Sequence, residues 1–115
     1  MLVKRLAEAL PYEAPKHYDM QSLRLQGFEP GGPKVAWVGL SSFQPGGGAL
    51  DSASPLERVY VVLSGSMTVI AGGVQATLGA LDSCCIPGGE SREVKNLGNE
   101  VSTMLVIIPY APAAS

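Results

Sequence analysis

Glycine and proline interrupt this chain so often that no long regular element fits between them: 115 residues carry 14 Gly and 9 Pro. Both residues are costly inside a helix, glycine through backbone entropy and proline through its missing N–H. What lies between the interruptions is rich in β-branched residues, as in Val59-Tyr60-Val61-Val62-Leu63 and Val101-Ser102-Thr103-Met104-Leu105-Val106-Ile107-Ile108. Short β-rich runs bounded by turn residues predict an all-β domain. The 46% hydrophobic content is enough for a core, and the length suits a single domain.

Taken in order, residues 3–10 suit one or two helical turns or an edge strand, ended by Pro11 and Pro15. From Met20 to Gln26, Leu23 and Leu25 oppose Ser22, Arg24 and Gln26, the period of a half-buried strand. A turn cluster follows at 27–33. The next strand, 34–43, sets Val35, Trp37 and Gly39 against Ala36, Val38 and Leu40, so both faces read as buried. Gly46 to Gly48 open conformations closed to other residues, which predicts a sharp fold-back over the mouth of the domain. Strands at 59–63 and 67–71 flank Ser64-Gly65-Ser66, and Gly72-Gly73 turns the chain into 74–78. Segments 81–86, 92–95 and 101–108 complete roughly eight strands. Periodicity alone leaves a jelly roll, an immunoglobulin-like sandwich and an up-and-down barrel open.

Spacing narrows the choice. Gly46, Ser52, Ser54, Arg58 and Gly65 stand at the intervals of a glycine, His-x-His, Glu and glycine motif. Pro87, Gly89, Arg92 and Asn96 stand at those of a Pro-x-Gly, His and Asn motif. The chain thus resembles the cupin superfamily, small jelly-roll β-barrels that usually hold a metal. The resemblance implies one cupin-like domain over 1–115, with an N-terminal arm (1–18), the barrel (19–109) and a flexible tail (110–115). It also implies homodimerisation, with Val59, Val61 and Leu63 facing either a sandwich interior or a partner. The four positions at which the family places its metal ligands are Ser52, Ser54, Arg58 and Arg92, and neither hydroxyls nor guanidiniums are good ligands for a divalent transition metal. No metal and no cofactor are expected.

In such barrels the ligand positions point inward, and the two-residue period of a strand then places Arg58, Tyr60 and Val62 inside, together with Arg92 and Val94. Two guanidiniums converge where relatives chelate an ion. Burying them costs several kcal/mol per ion unless they reach solvent or something negative meets them. Asp51, Glu57, Glu90 and Glu93 are the protein's own candidates. A carboxylate or phosphate on a ligand is the other, because the arginine fork suits bidentate contacts to such groups. The predicted ligand-binding set is Ser52, Ser54, Arg58, Tyr60 and Arg92, with His17, Glu57 and Asn96 as accessory candidates.

Alternative chemistries are weaker. Ser52 and Ser54 have no adjacent general base, and serines in a Ser-Ala-Ser-Pro segment are usually turn residues. His17 reads as a surface or rim residue that could serve as an acid or base if it entered the barrel. Cys84 and Cys85 read as small core residues facing opposite ways, and activation of either thiol requires nearby cations. A one-residue slip in register would turn Glu57 inward, where Cys84 or Cys85 and His17 could complete an unusual metal site.

The expected function is metal-independent binding of a small molecule carrying a carboxylate or other anionic group. The rivals are a metal-independent isomerase, lyase or dehydratase acting on a sugar acid or keto acid, and a closed structural or regulatory barrel. Eight Lys and Arg in a chain of formal charge −2 give no basic field for nucleic acid. The N-terminal segment mixes Lys4, Arg5 and Glu8 among its apolar residues, unlike a signal peptide or membrane span. With two adjacent cysteines that form no disulfide framework, a soluble cytoplasmic protein is expected.

Overall fold

A computed structural model describes residues 1–112. Residues 113–115 of the expected tail lie outside the described residues. A 3-10 turn at Leu6–Glu8 is followed by nine strands: β1 (Leu10–Pro11), β2 (His17–Gln26), β3 (Ala36–Ser52), β4 (Arg58–Ser64), β5 (Met67–Ala71), β6 (Val74–Leu78), β7 (Ser83–Ile86), β8 (Arg92–Lys95) and β9 (Ser102–Pro109). The sheet order is β6-β5-β8-β3-β9-β4-β7, with β2 on β3 and β1 on β2, and all pairings are antiparallel. This is the expected all-β jelly-roll barrel.

The core follows the strand period. Tyr60 and Val62 on β4, Val94 on β8, Met104 and Val106 on β9, and Phe43 and Ala49 on β3 are buried together with Met67, Val69, Leu78 and Ile86. Val59 and Val61 are half-buried and Leu63 is exposed, so the expected faces of β4 hold. Gly65, with φ of +72°, turns β4 into β5, and a Cβ there would meet Ser102 Oγ. That hydroxyl accepts from Ser66 N at 3.1 Å and donates to Ser66 O at 2.8 Å, which closes the turn.

Three features differ from the sequence reading. The glycine run does not fold the chain back over the mouth: β3 continues through it as one 17-residue strand. The pairing with β2 jumps from Tyr18↔Gly48 to Met20↔Phe43, so Gln44 to Gly47 form a bulge. Such a bulge bends the strand, here from partner β9 to partner β8. Glycine is required because a Cβ at Gly47 would sit 2.3 Å from Asp19 O, and one at Gly48 2.2 Å from Val94 O.

The sheet also begins before position 19. β2 starts at His17, which pairs with Ala49, and positive φ at Lys16 and Asp19 sets the entry of that strand. Finally, β2 alternates as read, but its polar side faces inward. Ser22 is 4% exposed and pairs with the buried Ser41, whereas Leu23 is only half-buried and pairs with Leu40. An interior that contains a cavity accepts a polar wall.

Candidate functional site

The β4 period brings Arg58 and Tyr60 to the inner surface, and β8 brings Arg92 from the facing wall. β4 and β8 are not paired, so contact between their side chains spans the interior. Arg92 Nε donates to the Tyr60 hydroxyl at 2.8 Å, and its Nη1 donates to Ser52 Oγ at 3.1 Å and to Leu50 O at 3.0 Å. Among the described residues Arg58 Nη2 reaches two carbonyls, Ser52 O at 3.4 Å and Glu90 O at 3.3 Å, and its Nε is buried without a partner. The two residues are 5% (Arg58) and 4% (Arg92) exposed, yet among the described residues neither lies within ion-pair distance of a carboxylate. Burial, and then the like charge of Arg92, pull the Arg58 pKa down, partly offset by Tyr60.

These groups line a cavity of about 480 Å³. Ser52, Ser54, Arg58, Tyr60 and Arg92 all stand on its wall, so the predicted set is brought together. Ser54 Oγ also accepts from Leu56 N at 3.2 Å, the local turn role expected of such a serine. His17 lines the same cavity and stacks on Phe43, with ring centroids 6.5 Å apart. Its Nδ1 lies 2.8 Å from Pro15 O; a carbonyl only accepts, so Nδ1 carries the proton and Nε2 of the neutral ring holds the lone pair. Burial first, and then Arg92 and Arg58, hold the His17 pKa below its ordinary value.

Two accessory candidates stand elsewhere. Glu57 is exposed, with its carboxylate 3.7 Å from Cys85 Sγ. Asn96 is wholly buried and ties the loop after β8: Nδ2 donates to Phe43 O and Glu100 O, and Oδ1 accepts from Gly98 N. Neither lines the cavity of Arg58 and Arg92. The thiols of Cys84 and Cys85 are both pushed up by desolvation, Cys84 also by its neighbour and Cys85 by Glu57, which is the opposite of activation.

Sequence reasoning missed the rest of the lining. Tyr12, Arg24, Trp37 and Ser41 line the cavity, as does Glu13. The Tyr12 hydroxyl occupies the space that a side chain at Gly39 would fill, 2.4 Å from the ideal Cβ position, and its ring meets Trp37 edge-on at 5.3 Å. An isolated Gly39 in a strand was the available signal, since such a glycine often marks close approach.

A jelly-roll barrel of antiparallel strands around an arginine-lined cavity defines the class of domain. The chain belongs to the cupin family: the Cupin domain model matches residues 39–108. Across nearly its whole length it is similar to a curated protein named Beta-D-galactosidase Rv1717, from Mycobacterium tuberculosis, with 38% identity over 113 residues covering 98% of this chain and 97% of that one. Solved structures share the fold at lower identity. The polyketide cyclase RemF from Streptomyces resistomycificus superposes with a TM-score of 0.79 at 20% identity, covering 94% of this chain and 80% of that one. KdgF from Halomonas sp. superposes with a TM-score of 0.78 at 12% identity, covering 96% of each chain.

The divalent metal that many barrels of this family hold does not fit the donors present. Serines and arginines stand at its ligand positions, His17 is the only imidazole in the chain, and among the described residues no three His, Cys, Asp or Glu side chains gather closely enough to hold an ion. Residues of the expected alternative set are likewise separated, with Glu57 beside Cys85 and His17 in the cavity.

Proposed function

We propose that this cupin binds a small acidic sugar without a transition metal, with Arg58 and Arg92 holding its carboxylate. The observation that carries this reading is the burial of two guanidiniums in one cavity with no carboxylate of the described chain beside them. Unpaired buried ions are costly, and a ligand carboxylate accepting from both forks would relieve that cost. A cavity of about 480 Å³ lies within the range of small-ligand sites. Its size supports binding over a closed structural barrel. Hydroxyls of Ser41, Ser52, Tyr12 and Tyr60 and the indole of Trp37 suit a polyhydroxylated ring, and the name of the 38%-identical relative points to sugars.

A thermal-shift comparison of galacturonate and galactonate with galactose and non-sugar acids tests the reading. An acid at a hundred times its Kd stabilises by about 2.7 kcal/mol, on the order of ten degrees for a domain of this size. The absence of a shift with every acid would overturn it.

A second reading is enzymatic, and the relative's name is the observation favouring it. With Nε2 unprotonated, His17 would take a proton from a bound sugar or keto acid, and the Tyr60 hydroxyl of the same cavity would return one, as a metal-independent isomerase, lyase or dehydratase requires. Hydrolysis of a β-galactoside ordinarily uses two carboxylates, whereas Glu13 is the one acidic side chain on this cavity wall among the described residues. Release of the aglycone from a chromogenic aryl β-galactoside, lost in Glu13→Gln, would establish hydrolysis.

The reading extends to a cytoplasmic homodimer. Two unpaired cysteines fit a reducing compartment, and among the described residues no helix is long and apolar enough to cross a membrane. Cross-strand pairing sets Leu23, Leu40, Leu105 and Val61 in one row on the outer face of the sheet, a surface suited to a second copy. Sedimentation equilibrium that returned the monomer mass at micromolar concentration would rule this out.

A further inference from the structure

We propose that the ligand is a dianion, its second acidic group held by Arg24, three strands along the sheet from Arg58. This rests on the acidic-ligand reading and adds a second anchoring point. Arg24 lies on β2, which reaches β4 only through β3 and β9, so the two side chains enter the cavity from well-separated strands. At roughly 4.8 Å per strand step, their backbones are three steps apart along the sheet.

Arg24 is fixed in place but not satisfied. Its guanidinium carbon lies 4.5 Å from the Phe28 ring centroid, 4.8 Å from Tyr12 and 5.2 Å from Trp37. Aromatic faces attract a cation but offer no lone pair in the plane of its N–H groups. Among the described residues its Nε is buried without a hydrogen-bond partner, as is that of Arg58. Among the described residues no carboxylate lies within ion-pair distance of Arg24.

The charge on the cavity wall points the same way. Among the described residues Arg24, Arg58, Arg92 and Lys16 share the cavity wall with one carboxylate, that of Glu13, so a single ligand carboxylate leaves most of the positive charge uncompensated. An acid group at each end of an extended ligand answers both guanidinium clusters. A six-carbon sugar diacid has that form, with hydroxyls between its ends for Ser41, Ser52 and the tyrosines.

Isothermal titration calorimetry with galactarate and galactonate, open-chain acids of the same carbon skeleton that differ in a carboxylate against a hydroxymethyl group at one end, tests the proposal. The wild-type protein should bind the diacid about tenfold or more tightly than the monoacid. Arg24→Met should abolish that preference, the diacid losing about tenfold more affinity than the monoacid, and Arg24→Lys, which keeps the charge on a flexible stem, should retain part of it. Equal affinities in the wild type, or a diacid preference that survives both variants, would overturn the second anchor and leave the Arg58–Arg92 site standing. Binding of neither acid would overturn both. Thermal unfolding of each variant distinguishes loss of the anchor from loss of the fold.

Discussion

Arg92 Nε donates a 2.8 Å hydrogen bond to the Tyr60 hydroxyl across the barrel, joining two strands that share no backbone pairing. Tyr60→Phe removes the acceptor and leaves a buried charged donor unmet. The variant should lose about 1–3 kcal/mol of stability, read by urea denaturation as a lower midpoint with an unchanged slope.

Arg58 presents the reverse case. Two long bonds to carbonyls and an unpartnered Nε leave its buried charge poorly compensated. Replacing such a group with an apolar one of similar volume is often neutral or stabilising by about 1–4 kcal/mol. Arg58→Met should therefore unfold at the same or a higher temperature than the wild type while losing the thermal shift given by sugar acids. Both outcomes together would mark Arg58 as a residue that costs stability and serves a ligand.

His17 gives the pH dependence. Its folded pKa lies below the unfolded value through burial and two nearby arginines, against the upward pull of Pro15 O. Between the ordinary imidazole value of about 6.5 and the lower folded value, the unfolded chain binds more protons. Stability should therefore fall as pH drops through that window and be independent of His17 above it. His17→Gln should remove this component, measured as a smaller loss of unfolding midpoint between about pH 7 and pH 5. Parallel pH profiles for the two proteins would contradict the assignment.

Asn96 separates scaffold from site. Its side chain makes three hydrogen bonds that fasten the turn before β9 to Phe43, away from the cavity of the arginines. Asn96→Ala should cost about 1–3 kcal/mol by orphaning buried backbone groups. Affinity for a sugar acid, measured by titration well below the unfolding temperature, should not change.

Half of the cavity was legible because motif spacing fixes strand register, and register fixes which side chains point inward. That argument placed Arg58, Tyr60 and Arg92 correctly. It could not place His17 or Tyr12, whose positions depend on how the segment before β2 folds against β3, a contact between residues 17 and 49 that no local pattern encodes. Arg24 was hidden for a different reason. The apolar side of an alternating strand is ordinarily the buried one, whereas β2 turns its polar side toward the cavity and Leu23 toward the outer face. The glycine run at 46–48 permits a turn or a bulge equally, and long-range pairing with β2 and β8 selects the bulge.

Titration calorimetry of galacturonate against galactose, ligands of the same ring that differ in bearing a carboxylate or a hydroxymethyl group, bears most directly on the arginine site. The acid should bind at least about tenfold more tightly, and the difference should vanish in Arg58→Met. Equal affinities for the two sugars, or a preference for the acid that persists once both Arg58 and Arg92 are replaced by Met, would show that the guanidiniums are not the ligand's anchor.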